Sequence, residues 1–149
     1  MCAPGVVNRY LSRISGPLLD RIDIHIEVTP VGFDELTSRS RNSEKSEDVR
    51  QRVIQAREIQ HRRYEGWEGV YSNAMLPSNK VKDVCEIQQA GQVLLKTAMQ
   101  KLNLSARAYD RILKVSRTIA DLAGSEEIKV EHLAEAIHYR SLDRENWGG

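Results

Sequence analysis

The chain has 149 residues, 40% of them hydrophobic and 29% charged, with a net charge of +1; this is the make-up of one globular domain with a core of its own. That balance excludes a chain disordered throughout and a grossly basic nucleic-acid binder, while leaving room for a local basic patch. No apolar run nears the roughly 18 residues needed to span a bilayer, and the first residues lack the layout of a secretory signal, so the expectation is a cytoplasmic protein without a membrane partner.

The first element in chain order lies in "SGPLLDRIDIHIEV", residues 15–28. Ile22, Ile24, Ile26 and Val28 alternate with Asp23, His25 and Glu27, the period of a half-buried β-strand. A lone strand cannot satisfy its own backbone groups or cover its apolar face. It therefore needs a sheet, and the rest of the sequence is helical in pattern. Pro30, Gly32 and a polar run from Thr37 to Lys45 mark a loop.

Ser46 reads as the N-cap of a helix over residues 46–64, with Glu47 and Asp48 in its first turn and Arg62 and Arg63 in its last. Val49, Val53 and Ala56 form its apolar face. Gly66, Gly69 and Pro77 then make residues 65–79 turn-rich, and a short helix is predicted near Ser78–Val84. Ile87, Ala90, Leu94, Ala98 and Leu102 recur at helical spacing and predict a helix over residues 86–101. Ser105 is placed to cap the strongest helix of the sequence, "ARAYDRILKVSRTIADLA", which turns Tyr109, Ile112, Leu113, Ser116, Ile119, Ala120 and Ala123 to one face and has Gly124 where a C′ glycine belongs. A last helix, "VEHLAEAIHYR", presents Leu133, Ala136 and Ile137. The expected fold class is mainly α: a small helical bundle with one N-terminal β-strand left over.

No catalytic set stands out. His25, His61, His132 and His138 show no metal-ligand spacing, Gly-rich phosphate loops are absent, and Cys2 and Cys85 read as free thiols. The informative residues are arginines. Arg21, at the strand entrance, could present its planar fork to a phosphate, or could form a surface ion pair with Asp20 or Asp23. Arg107 falls in the first turn of a helix, where the macrodipole disfavours a cation. It could serve an external anion or simply be solvated. Arg111 and Lys114 continue it as a basic stripe. Arg50, Arg52, Arg57, Arg62 and Arg63 bias the 46–64 helix toward nucleic-acid phosphates, diluted by Glu47, Asp48 and Glu58. Tyr64, Trp67 and Tyr71 could stack on bases or cap their own helix.

Three stretches in order, "YLSRISGPLLDRIDIHIEV", "SEDVRQRVIQAREIQ" and "LNLSARAYDRILKVSRTIADLAGSEEIKVEHLAEAIHYR", resemble the C-terminal part of the magnesium-chelatase-like AAA+ ATPases, the family of the ComM-type competence proteins and the subunit I chelatase ATPases. The resemblance implies that residues 1–30 end an ATPase core, 31–45 link it onward, 46–143 form a helical lid and 144–149 a flexible tail. It implies that "LLDRID" leads into the last strand of a parallel ATPase sheet. Arg21 would then be an arginine finger entering the ATP site of the next subunit, with Asp20 beside it, and Arg107 the sensor-2 arginine of the lid, contacting the γ-phosphate. The full-length protein would use ATP and Mg²⁺, with neither expected on this chain alone because the Walker A and Walker B segments would lie upstream of Met1. The implied partners are other subunits of a homo-oligomeric, hexameric ring, with DNA as the target for a ComM-type protein. The alternative is a helical nucleic-acid-binding or protein-interaction module without nucleotide contact. Without the sheet, residues 1–28 should be frayed or improvised against the bundle, and the helices from about residue 86 onward well packed.

Overall fold

The computed structural model describes residues 18, 21–26, 28, 30–32 and 44–140. Five α-helices and one 3-10 turn make up the architecture among these residues: α1 (Ser46–Arg63), the 3-10 turn (Asn73–Met75), α2 (Ser78–Val84), α3 (Gln89–Lys101), α4 (Ala106–Leu122) and α5 (Val130–His138). The mainly helical class expected from the sequence is what forms. None of these helices is long and apolar enough to cross a membrane. The expected linker over 31–45 and the tail over 144–149 fall largely or wholly outside the described residues.

Helix α4 is the hub, packed against α1, the 3-10 turn, α2 and α5, while α3 packs on α5. Its ends explain its definition. The Ser105 side chain accepts a hydrogen bond from the Ala108 N–H at 3.2 Å, supplying one of the donors that a helix start leaves unpaired. At the other end Gly124 adopts φ +64°, and the N–H groups of Gly124 and Ser125 donate to the carbonyls of Asp121 and Ala120 at 3.1 and 2.8 Å. These two bonds form a Schellman closure, which needs a left-handed residue. Between the caps Ile112, Leu113, Ser116 and Ala120 are buried as the periodicity predicts, Tyr109 and Ile119 are partly buried against the core, Ala108 is buried although the predicted face left it out, and Ala123 is exposed.

The core gathers Leu76, Val81, Leu95, Ile112, Leu113 and Leu133, all essentially fully buried. Each such side chain contributes about 1.5–3 kcal/mol of apolar burial, so the helices from α2 onward share one stabilising centre. In α5, Leu133 and Ala136 face it and Ile137 packs at its margin, as expected. Its start is fixed differently from a Ser or Thr cap: the Lys129 N–H donates to Nδ1 of the buried His132 at 3.2 Å.

Expectations shift in α3 and α1. Helix α3 begins at Gln89 rather than at residue 86, because Ile87 pairs with Ile128 in an isolated parallel bridge. Its buried face is Gly91, Leu95 and Ala98, one position on from the predicted Ala90 and Leu94. A β-carbon at Gly91 would stand 3.4 Å from both Ile87 Cβ and Leu133 Cδ2, so glycine permits the close approach of α3 to α5. In α1, Ser46 is the first helical residue and Lys45 occupies the cap position without a side-chain bond. Its apolar face enters the core only at Ala56: Val49 and Val53 stay 40% and 46% exposed. Tyr64, expected either to stack on bases or to cap α1, is buried at the helix end, edge-on to Trp67 with ring centroids 5.7 Å apart.

The β-strand read over residues 22–28 is not formed among the described residues. No partner strand is present there, and the expected inner face is open, with Ile26 69% and Val28 85% exposed. The segment is instead improvised against the end of the bundle.

Candidate functional site

Residues 21–26 lie across the α4 and α5 end of the bundle, held by tethers of which three are defined among the described residues. The Arg140 guanidinium donates to the Ile22 carbonyl at 2.5 Å, the His25 N–H donates to the Tyr139 carbonyl at 2.9 Å, and the Asp23 carboxylate pairs with Arg111. Before them, the Arg21 N–H closes a turn onto the Leu18 carbonyl at 3.0 Å. Of the predicted strand's polar side, His25 is half-buried while Asp23 and the Ile neighbours are exposed.

Between this segment and the helices lies a cleft of about 620 Å³. Arg21, Arg107, Arg111 and Lys114 line it, over apolar walls that include Ile24, Ile26, Ile119 and Leu122. Two arginines 86 positions apart in the sequence, Arg21 and Arg107, therefore open onto one space. Asp20 lies outside the described residues.

The four cations are not equivalent. Asp23, one of the two candidate partners of Arg21, is taken by Arg111. Lys114 Nζ donates to the Ala74 carbonyl at 3.3 Å. Arg107 and Arg21 are exposed, and neither side chain has a hydrogen bond or ion pair among the described residues. Arg107 sits in the first turn of α4, where the aligned peptide dipoles add to its own positive charge. A guanidinium group offers an anion a planar, multi-donor fork. Across the cleft the Tyr139 hydroxyl donates to Glu135 Oε1 at 3.1 Å; that bond, reinforced by the Glu135 charge, raises the phenol's pKa above its ordinary value. Among the described residues no group of three or more His, Cys, Asp or Glu side chains comes together to hold a metal ion.

A second polar assembly, absent from the sequence reading, is buried at the far end of α4. Asp121 is fully enclosed and accepts from Arg63 through both nitrogens, at 2.8 and 2.5 Å, from Asn73 Nδ2 at 2.8 Å and from Arg117 Nε at 3.1 Å. Arg117 also donates to the carbonyls of Ser125 and Glu126 at 2.6 and 2.7 Å. Burial alone pushes the Asp121 carboxyl up, but hydrogen bonds from Arg63 and Asn73 and the charges of Arg63 and Arg117 outweigh it and hold the group below its ordinary value. The available signal was Asp121 four residues after Arg117 on a face otherwise apolar. The assembly pins α1, the 3-10 turn and the loop after α4 to one another. Cys85 is buried as well, and burial pushes its thiol up to about 11, so it stays protonated and unreactive at neutral pH.

The family model described as "Magnesium chelatase, subunit ChlI C-terminal" matches residues 43–140, and the one described as "Magnesium chelatase, subunit ChlI" matches residues 1–36. The chain is 44% identical to competence protein ComM of Haemophilus influenzae over 95% of its own length. It is 40% identical to the uncharacterized protein YifB of Escherichia coli over 96%, and 32% identical to the uncharacterized protein Mb2921c of Mycobacterium bovis over 94%. It spans 27% of the length of each of these relatives. With a family model covering all five helices, this chain belongs to the magnesium chelatase subunit ChlI C-terminal family.

Proposed function

We propose that the chain is the C-terminal lid of a chelatase-like AAA+ ATPase, and that it completes an ATP site with Arg21 as arginine finger and Arg107 as sensor-2 residue. The observation that supports this reading is the shared cleft: two exposed guanidinium groups without partners among the described residues, carried by distant parts of the sequence, open onto one space of about 620 Å³. In phosphoryl transfer the protein's main task is to position charge against charge that develops on the γ-phosphoryl oxygens. An arginine on a tethered segment and another on a capped helix suit that task because the backbone that carries each is held in place.

The described residues suit the phosphates of ATP but offer no cluster that would hold Mg²⁺. The metal's ligands, with the Walker segments, would come from the parts of the protein beyond this chain. Catalysis is thus assigned to an assembly of subunits in a ring, in the cytoplasm, and the isolated chain should neither bind ATP tightly nor hydrolyse it. DNA is the proposed target, on the strength of the competence protein among its relatives and the exposed, arginine-bearing first half of α1.

The test is steady-state ATP hydrolysis by the full-length protein. Arg21→Ala and Arg107→Ala should each lower turnover steeply without altering thermal stability. Wild-type rates in both would leave the second reading, a helical interaction module without nucleotide contact. If that module were a DNA binder in its own right, this chain alone should bind duplex DNA with an affinity that falls steeply as salt rises.

A further inference from the structure

We infer that Asp23 and Arg111 are positioning residues for the two cleft arginines, an assignment that rests on the nucleotide-site reading and deepens it. Arg111 follows Arg107 by one helical turn on α4, so the two side chains share a face. Asp23 follows Arg21 by two residues in the tethered segment. Their ion pair therefore joins the same two elements that carry the arginines, and both of its members line the same cleft.

The other two tethers act on the segment's backbone, at the Ile22 carbonyl and the His25 N–H. They fix where the chain runs. The Asp23–Arg111 pair is a side-chain link between the segment and α4, two residues from Arg21 and four from Arg107. It also sets a carboxylate among the cations of the cleft, which Asp110 and Glu135 line as well. With side chains 49% and 33% exposed, such a pair contributes little to folding. Its consequence is the spacing of Arg21 from Arg107.

The role is tested in the full-length ATPase by comparing Asp23→Asn, Arg111→Asp and the reversed pair Asp23→Arg with Arg111→Asp, beside Arg21→Ala and Arg107→Ala as controls. Each single change at the pair should lower kcat by about tenfold, within the range that misplacing a catalytic group produces, with KM for ATP and Tm close to wild type. The reversed pair should recover most of that loss. Wild-type kcat in the single variants, a reversed pair as slow as the singles, or a fall in Tm that tracks the loss of activity would each overturn the proposal. If the pair variants are unaffected while Arg21→Ala and Arg107→Ala are slow, the coupling fails alone; if the control variants turn over at the wild-type rate, the nucleotide-site reading itself fails.

Discussion

Asp121 shows what a single buried charge does in this protein. Two arginines and an asparagine converge on its fully enclosed carboxylate. A buried ion cluster adds little net stability over an apolar replacement, but removing one member strands the others. Asp121→Asn should therefore cost about 3 kcal/mol in chemical denaturation at neutral pH, because Arg117 keeps its charge in a dry site while Arg63, with a side chain 21% exposed, loses its paired carboxylate. The pH dependence has a definite sign. The native carboxyl titrates below its unfolded value of about 3.9, so in acid the unfolded state binds the proton first. The contribution is complete above that value and disappears as pH falls through the lower native one, and the stability gap between wild type and Asp121→Asn should narrow below about pH 4. Denaturation midpoints of both proteins across pH 2–7 (roughly the range over which a carboxylate of this kind titrates) would measure it. None of this was legible from Asp121 alone, since a mid-helix Asp four residues from an Arg reads equally as a solvated pair; only the enclosure by α1 and the 3-10 turn makes it a buried one.

At the scale of elements, legibility followed from how local each signal is. The caps of α4 are short-range chemistry, a serine oxygen three residues from its donor and a glycine that can turn left-handed, and both ends formed where the sequence placed them. Ser105→Ala should cost about 1 kcal/mol and Gly124→Ala a similar amount, about 1 kcal/mol or slightly more, read as shifts in the denaturation midpoint at unchanged m-value. Position along α1 and α3 was less legible because it depends on partners. Ile87 satisfies the helical period yet belongs to a bridge with Ile128, 41 residues away. Val49 and Val53 fit an inward stripe, but no other described element reaches over the first half of α1 to cover them. Residues 22–26 have the alternation of a strand and no sheet among the described residues, so the bundle end claims their backbone groups instead.

Across the whole molecule, the helices build a rigid frame whose hub, α4, has Arg107 at one end and the Asp121 cluster at the other. The tethered segment brings Arg21 to the Arg107 end. The two arginines were singled out from sequence for separate reasons, one at a strand entrance and one against a helix dipole. Their common cleft was not legible, because it depends on contacts between residues 22–25 and residues 111, 139 and 140 that no local pattern encodes. The most direct measurement is a double-mutant cycle of ATP turnover in the full-length protein. If both arginines act on one phosphoryl group, Arg21→Ala and Arg107→Ala should each reduce kcat by roughly a hundredfold or more, and the double variant should lose much less than the product of the two. Wild-type turnover in either single variant, or losses that simply multiply, would contradict a shared site.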